Sequence, residues 1–175
     1  MTEPDPIDHI GRLVAQRRLA TPDVPLDGME ILGRAKRLTA LTRPAIEGVF
    51  SRHGLDTGEF DVLATLRRAG APFELRPTEL MRETLVSSGG LTDRLARLER
   101  KGLVARRKAS GDGRSTLARL TDEGRALIDA AYAEDMETEQ SLLTPLDPAE
   151  RRDLARLLAK LLAGMEDEDG PSTTP

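Results

Sequence analysis

Between Ser87 and Arg119 the chain gathers residue types that can grip a nucleic-acid duplex. Leu91, Leu95 and Leu98, spaced by four and three, mark the apolar stripe of a short helix. Its other face carries Ser88, Gly90, Thr92, Asp93, Arg94, Arg97 and Arg100. Small residues at the start of such a helix allow close approach to base edges. Threonine bonds base or phosphate, and arginine can hold guanine at two atoms. A second basic group follows in Arg106, Arg107, Lys108, Arg114 and Arg119. Arg114 sits after Asp112-Gly113 at the tip of a turn, where an arginine is well placed for a narrow minor groove.

Catalytic chemistry finds no comparable support. His9 and His53 have neither a cysteine nor a carboxylate at metal-ligand spacing, so each reads as an ordinary surface or core histidine. Gly54-x3-Gly58 and Gly111-x-Gly113 lack the Gly-Lys-Ser/Thr of a phosphate loop. Ser87 and Ser88 lack the flanking glycines of a nucleophile elbow. With no cysteine, disulfide frameworks, thiolate zinc sites and thiol-based peroxide sensing are excluded. The expectation is a protein without catalytic residues, metal or cofactor.

Several elements must position the basic residues. Pro77 suits a first helical position, and Leu80 and Met81 are expected to face inward. A break near Val86 follows, with Ser87 or Ser88 as N-cap of the next helix and Gly102 ending it. Leu103–Ala109 and Ser115–Leu120 read as a hairpin closed by Ser110-Gly111-Asp112-Gly113-Arg114. Phe73 and Leu75 can add a short strand against it. Two short helices followed by a basic hairpin form a winged helix-turn-helix, which sets one helix in the DNA major groove. A plain helical hairpin with a solvated face is the bland alternative.

Charge separates these alternatives. Residues 76–119 carry 11 Lys/Arg against 5 Asp/Glu, a net of +6. Residues 1–75 carry 10 against 11, and residues 120–175 carry 5 against 14. The chain as a whole is at −4, which argues against a bulk polyanion binder. A single basic region in an acidic chain is the electrostatic footprint of a duplex-binding module.

The ordered run Gly54-Leu55-Asp56-Thr57-Gly58-Glu59-Phe60-Asp61-Val62-Leu63, Leu91-Thr92-Asp93-Arg94-Leu95, Glu99-Arg100-Lys101-Gly102-Leu103-Val104, Asp112-Gly113-Arg114 and Leu120-Thr121-Asp122-Glu123-Gly124 resembles the MarR family of bacterial transcriptional regulators. The resemblance spans about residues 29–165. It implies a mainly α fold with a small β-wing, a homodimer, and control of a nearby gene that is usually relieved by a small ligand. It also implies that Arg114 enters the minor groove and that Asp112 orients an arginine of the wing.

The rest of the chain fits that plan. Residues 1–27 form an N-terminal extension with a short helix over Ile7–Ala20, ended by Thr21-Pro22-Asp23-Val24-Pro25. Residues 28–56 form a dimerisation helix, Met29–His53, expected to kink at Pro44. Residues 57–121 form the DNA-binding domain, its first helix capped by Thr57. Residues 122–166 form C-terminal dimerisation helices. Thr121 caps the first of these, and Asp147-Pro148-Ala149-Glu150 starts the second. The apolar face Leu154, Leu157, Leu158, Leu161, Leu162 and Met165 must cover either a partner or the chain's own core. Residues 1–6 and 167–175 read as disordered. No apolar run is long enough to span a membrane, and no signal peptide is apparent, so a cytoplasmic protein is expected.

The N-terminal extension, Glu59-Phe60-Asp61-Val62-Leu63 and Ser87-Ser88-Gly89-Gly90-Leu91-Thr92 most resemble the PecS-type, urate-responsive branch of that family. By that resemblance Asp61 and Arg94 fall on the charged pair associated with the ligand. The branch's tryptophan is missing, with Arg17 nearest, and its asparagine is missing, with Ala69 nearby. Asp61–Arg94 can be part of a ligand site or a structural ion pair. Three function classes follow: a ligand-responsive regulator, expected as a repressor on a pseudo-palindromic operator; an architectural DNA binder without an effector; and a dimeric interaction protein that keeps the fold.

Overall fold

The computed structural model describes residues 7–84, 90–108 and 116–168. In chain order the helices are α1 (His9–Ala20), α2 (Asp27–Arg52), α3 (Thr57–Arg68), α4 (Pro77–Glu83), α5 (Leu91–Arg100), α6 (Asp122–Leu142) and α7 (Pro148–Glu168). The strands are β1 (Glu74–Leu75), β2 (Val104–Lys108) and β3 (Thr116–Leu120). They form one antiparallel sheet in the order β1-β3-β2. The expected mainly α fold with a small β-wing is what the chain forms.

Local signals set most boundaries. Asp8 caps α1 by accepting from Gly11 N–H, and Thr121 caps α6 by accepting from Gly124 N–H. Asp147 and Glu150 form the reciprocal box at the start of α7. At α3 the cap is Asp56, not Thr57: its carboxylate accepts from Glu59 N–H at 2.7 Å while Glu59 accepts from Asp56 N–H at 3.1 Å. The box needs a carboxylate three residues ahead, and Glu59 stands in that register with Asp56. The N-cap of α5 is Gly90, at φ 92, with no side-chain cap. Ser87 and Ser88, the expected caps, lie outside the described residues. α2 continues through Pro44 to Arg52 as one helix, so the proline does not divide it.

The core lies where α3 meets everything else. Val62, Leu63 and Leu66 of α3 are fully buried, with Leu80 of α4, Leu98 of α5, Val49 of α2 and Ile128 of α6 around them. Leu91, Leu95 and Leu98 bury together, as their spacing requires. The ring of Phe60 stacks on Phe50 at 4.0 Å and lies 6.5 Å from Tyr132, which ties α2, α3 and α6 together. Met81, expected to face inward, is 46% exposed. In the seven residues of α4, Leu80 already fills the inward position, and the next residue is turned about 100° away.

Asp135 of α6 is buried among this core and its Oδ1 has no hydrogen-bond partner. Burial, helped by the negative charge of Glu139, pushes its pKa up to about 6 from 3.8. Between these two pH values the folded chain holds a proton that the unfolded chain has released. The contribution of Asp135 to stability therefore falls as pH rises from about 4 to about 6 and stays lower above. Asp135→Asn is expected to be more stable than the wild type at pH 7.5 by on the order of 2 kcal/mol, the free-energy equivalent of such a shift reduced by the cost of burying an amide. The gap should close below pH 4. Urea midpoints measured across this range at one protein concentration check it, and a gap that does not vary with pH would contradict it.

Candidate nucleic-acid interface

The helix-turn-helix is α4 and α5, with β2 and β3 as its ribbon. Helix α5 turns its leucines onto α3 and leaves Gly90, Thr92, Asp93 and Arg100 exposed. The adjoining strand β2 exposes Ala105, Arg106, Arg107 and Lys108. Cβ alternation would bury every second residue of a strand with a core on one face. Here only Val104 of β2 is buried, so β2 stands largely open while Ala118 and Leu120 hold β3 to the core.

Several of the expected contact residues are tied within the chain. Arg107 makes a two-point bond to Glu74 of β1, Nε–Oε2 2.8 Å and Nη2–Oε1 2.7 Å. This bond holds the Glu74 carboxyl below the usual carboxylate range. Arg106 pairs with Glu99 of α5 at 3.0 Å. Such half-exposed pairs are worth little and can open when a phosphate approaches. Arg97 is more firmly held, between buried Glu59 and Asp56. Its long-range partner could not be read from helical spacing, which shows only that Arg97 lies on the polar face. Ser87, Ser88, Asp112 and Arg114 lie outside the described residues.

Arg94 lies across Gly58 of α3. A Cβ added at Gly58 would stand 2.2 Å from Arg94 Nε and 2.8 Å from its Cδ. Glycine at position 58 thus gives the arginine its bed. Asp61 is one turn further along α3, on the same face, and is buried. The structure therefore brings Asp61 and Arg94 to one α3–α5 junction. It does not bring Arg17 there. α1 docks on the N-terminal half of α2, with Asp8 on Arg34 at 2.7 Å and Arg18 on Glu30 at 3.2 Å. These pairs carry α1 towards the start of α2 as the chain advances to Arg17. Helical rise sets Gly33 roughly 25 Å from Phe50, where α2 meets α3.

Other charged groups serve the scaffold. His53 Nε2 lies 2.7 Å from Glu134 Oε2, and Arg52 shares that carboxylate, so the end of α2 is pinned to α6. Sequence spacing could not show this carboxylate partner. Among the described residues no cluster of His, Cys, Asp and Glu could hold a metal ion. Among them, too, no helix is long and apolar enough to cross a membrane.

Comparison with known proteins agrees with this geometry. The MarR family profile matches residues 53–115, from the end of α2 into the wing. The chain is 38% identical to the transcriptional regulator PecS of Dickeya dadantii over 87% of its own length and 92% of that protein. It is 34% identical to a transcriptional repressor of Mycobacterium tuberculosis, covering 71% of this chain and 88% of that one. The crystal structure of Sco5413, a MarR family regulator from Streptomyces coelicolor, superposes with a TM-score of 0.69 at 25% identity, over 82% of this chain and 98% of that one. A helix-turn-helix with an exposed basic ribbon, on a chain so closely related along its length, belongs to the MarR family, as a transcriptional regulator of the MarR/PecS type and not an enzyme.

Proposed function

We propose that this regulator is a cytoplasmic homodimer that represses transcription from a pseudo-palindromic operator and is released by a small anionic ligand. Residues 57–121 read the duplex, and residues 28–56 and 122–166 join the two subunits. The observation that carries this reading is the division of α5: its leucines are buried on α3 while Gly90, Thr92 and Arg100 stay open beside a basic ribbon. Base edges give specificity to the first, and phosphates give affinity to the second. Arg106, Arg107 and Arg114 complete the contact set, with Asp112 orienting the tip. The test is titration of a duplex selected from a random pool against scrambled DNA. The proposal expects a preference of about 10³ or more. Equal affinity for both duplexes would instead mark an architectural binder.

Asp61 and Arg94 are assigned to holding α5 on α3. The close seat of Arg94 on Gly58 and the burial of Asp61 support this role, as does the lack of any tryptophan for a purine to stack on. Asp61→Asn should then weaken operator binding about tenfold without any ligand, the lower end of the effect of losing one good base contact. Urate at millimolar excess should leave the wild-type complex intact. Release of the wild type by urate, abolished in Asp61→Asn, would show instead that the pair is a ligand site.

A further inference from the structure

We propose that Glu59 is the positioning residue that fixes the recognition helix α5 on α3, and that Arg97 and Lys101 serve this carboxylate in place of DNA phosphates. The inference rests on the DNA-binding reading above and names how that site is held. Glu59 is 2% exposed, yet both its oxygens are engaged. Oε1 accepts from Arg97 Nε at 3.1 Å, and Oε2 accepts from Lys101 Nζ at 2.6 Å and from Asp56 N–H at 3.1 Å. Each cation has a second anchor beside the first. Arg97 Nη2 donates to Asp56 Oδ2 at 2.8 Å, and Lys101 Nζ donates to the Gly54 carbonyl at 2.8 Å.

Burial alone would push the Glu59 carboxyl up, but the bonds from Lys101, Asp56 N–H and Arg97 outweigh it and leave the carboxyl below its ordinary value. The anion is therefore the resident form. Its place is the first turn of α3, and the cations sit at the end of α5, each where the helix dipole favours its sign.

The clamp has a geometric consequence. Leucine burial is non-directional, so the stripe Leu91, Leu95 and Leu98 would allow α5 to roll or slide on α3. Arg97 and Lys101 are four residues apart, on one side of α5, and meet one buried carboxylate. That arrangement fixes the rotation of the helix about its axis, and with it the direction in which Thr92 and Asp93 point. Removing one partner of a buried ion pair leaves an uncompensated charge, which the helix must move to relieve.

Glu59→Gln tests this with little change of shape, because the amide oxygen can still accept from Asp56 N–H. Hydrogen exchange on the free protein should quicken over Gly90–Arg100 while α6 stays as in the wild type. Affinity for the selected duplex should fall about tenfold or more, as for loss of a specific base contact. Affinity for scrambled DNA should not fall. Its salt slope should steepen by about one to two units, because two cations are freed for phosphates. Arg97→Ala in the Glu59→Gln background should cost less operator affinity than Arg97→Ala costs the wild type, since the two act as one unit.

Unchanged exchange over α5, or unchanged operator affinity in Glu59→Gln, would overturn the proposal. So would an Arg97→Ala single variant whose salt slope on scrambled DNA falls by about one, the mark of a direct phosphate contact. Arg97→Gln, at a side chain 37% exposed, carries the same exchange test if Glu59→Gln does not fold. A wild type that binds no duplex would refute the DNA-binding reading, while the exchange result would still decide the clamp.

Discussion

Leu157→Asp with Leu161→Asp is expected to convert the protein into a folded monomer that no longer holds its operator. In the single chain these leucines are 53% and 40% exposed, and Leu154, Leu158, Leu162 and Met165 of the same helix are exposed as well. Ile31, Leu32, Leu38 and Leu41 of α2 are also exposed. An open apolar area of this extent marks an interaction surface. In a two-fold interface each substitution acts twice, so four large side chains lose burial worth roughly 1.5–3 kcal/mol each. The summed loss, on the order of 6 kcal/mol or more, would raise the dimer dissociation constant by at least about 10⁴. Operator affinity should fall by about 10²–10⁴ as the second half-site loses its tether. Sedimentation at micromolar concentration and duplex titration measure both effects. A variant that remains dimeric would show that α7 does not join the subunits. Because no α7 residue whose burial is described lies in the buried core, the winged helix should keep its circular dichroism.

Gly124→Ala should be a damaging single methyl, at the joint between α6 and the base of the wing. A Cβ at Gly124 would stand 2.0 Å from the Leu103 carbonyl oxygen and 2.9 Å from its carbon, both backbone atoms. That carbonyl accepts from Thr121 N–H at 3.1 Å, while the Thr121 hydroxyl donates to the Gly102 carbonyl and caps α6. The start of α6 must therefore lift away from the base of the wing. Overpacking together with loss of the cap predicts about 2–4 kcal/mol of destabilisation. Operator affinity should fall as well, because the paired strands β2 and β3 are anchored at this point, where Val104 faces Leu120. Gly28→Ala, with nothing within 4 Å of the added Cβ, is the control and should change stability by less than about 1 kcal/mol. Equal urea midpoints for Gly124→Ala and the wild type would contradict this account of the joint.

Local patterns carried the elements further than the contacts between them. The leucine spacing of α5, the Thr121 and Asp147 caps and the short strand expected at Phe73 and Leu75, found as Glu74–Leu75, were all legible, because each depends on residues close in sequence. The cap of α3 was placed one residue late, at Thr57, because both residues are good capping types and only the register with Glu59 singles out Asp56. The inward Met81 was not, because periodicity over a single short helix fixes a face only loosely.

Charge partners were the harder part. Arg97 meets Glu59 from 38 residues away, Arg107 meets Glu74 from 33, and His53 meets Glu134 from 81. Helical or strand period shows which side of an element a charge occupies, but not what another element brings to it. An arginine on a polar face therefore reads as a DNA contact until its partner is seen. The basic excess of residues 76–119 is smaller at the interface than the sequence count implies, because Glu59 and Glu74, outside that stretch, take up Arg97 of α5 and Arg107 of β2.

The most direct measurement is the stoichiometry and footprint of the complex on the selected duplex. Two winged helices related by a two-fold axis predict one dimer per duplex, protecting two inverted half-sites centred about one helical turn, roughly 10 base pairs, apart. The Leu157→Asp, Leu161→Asp variant should protect at most one of them, and only weakly. A wild-type monomer that binds a single half-site with full affinity would contradict the account.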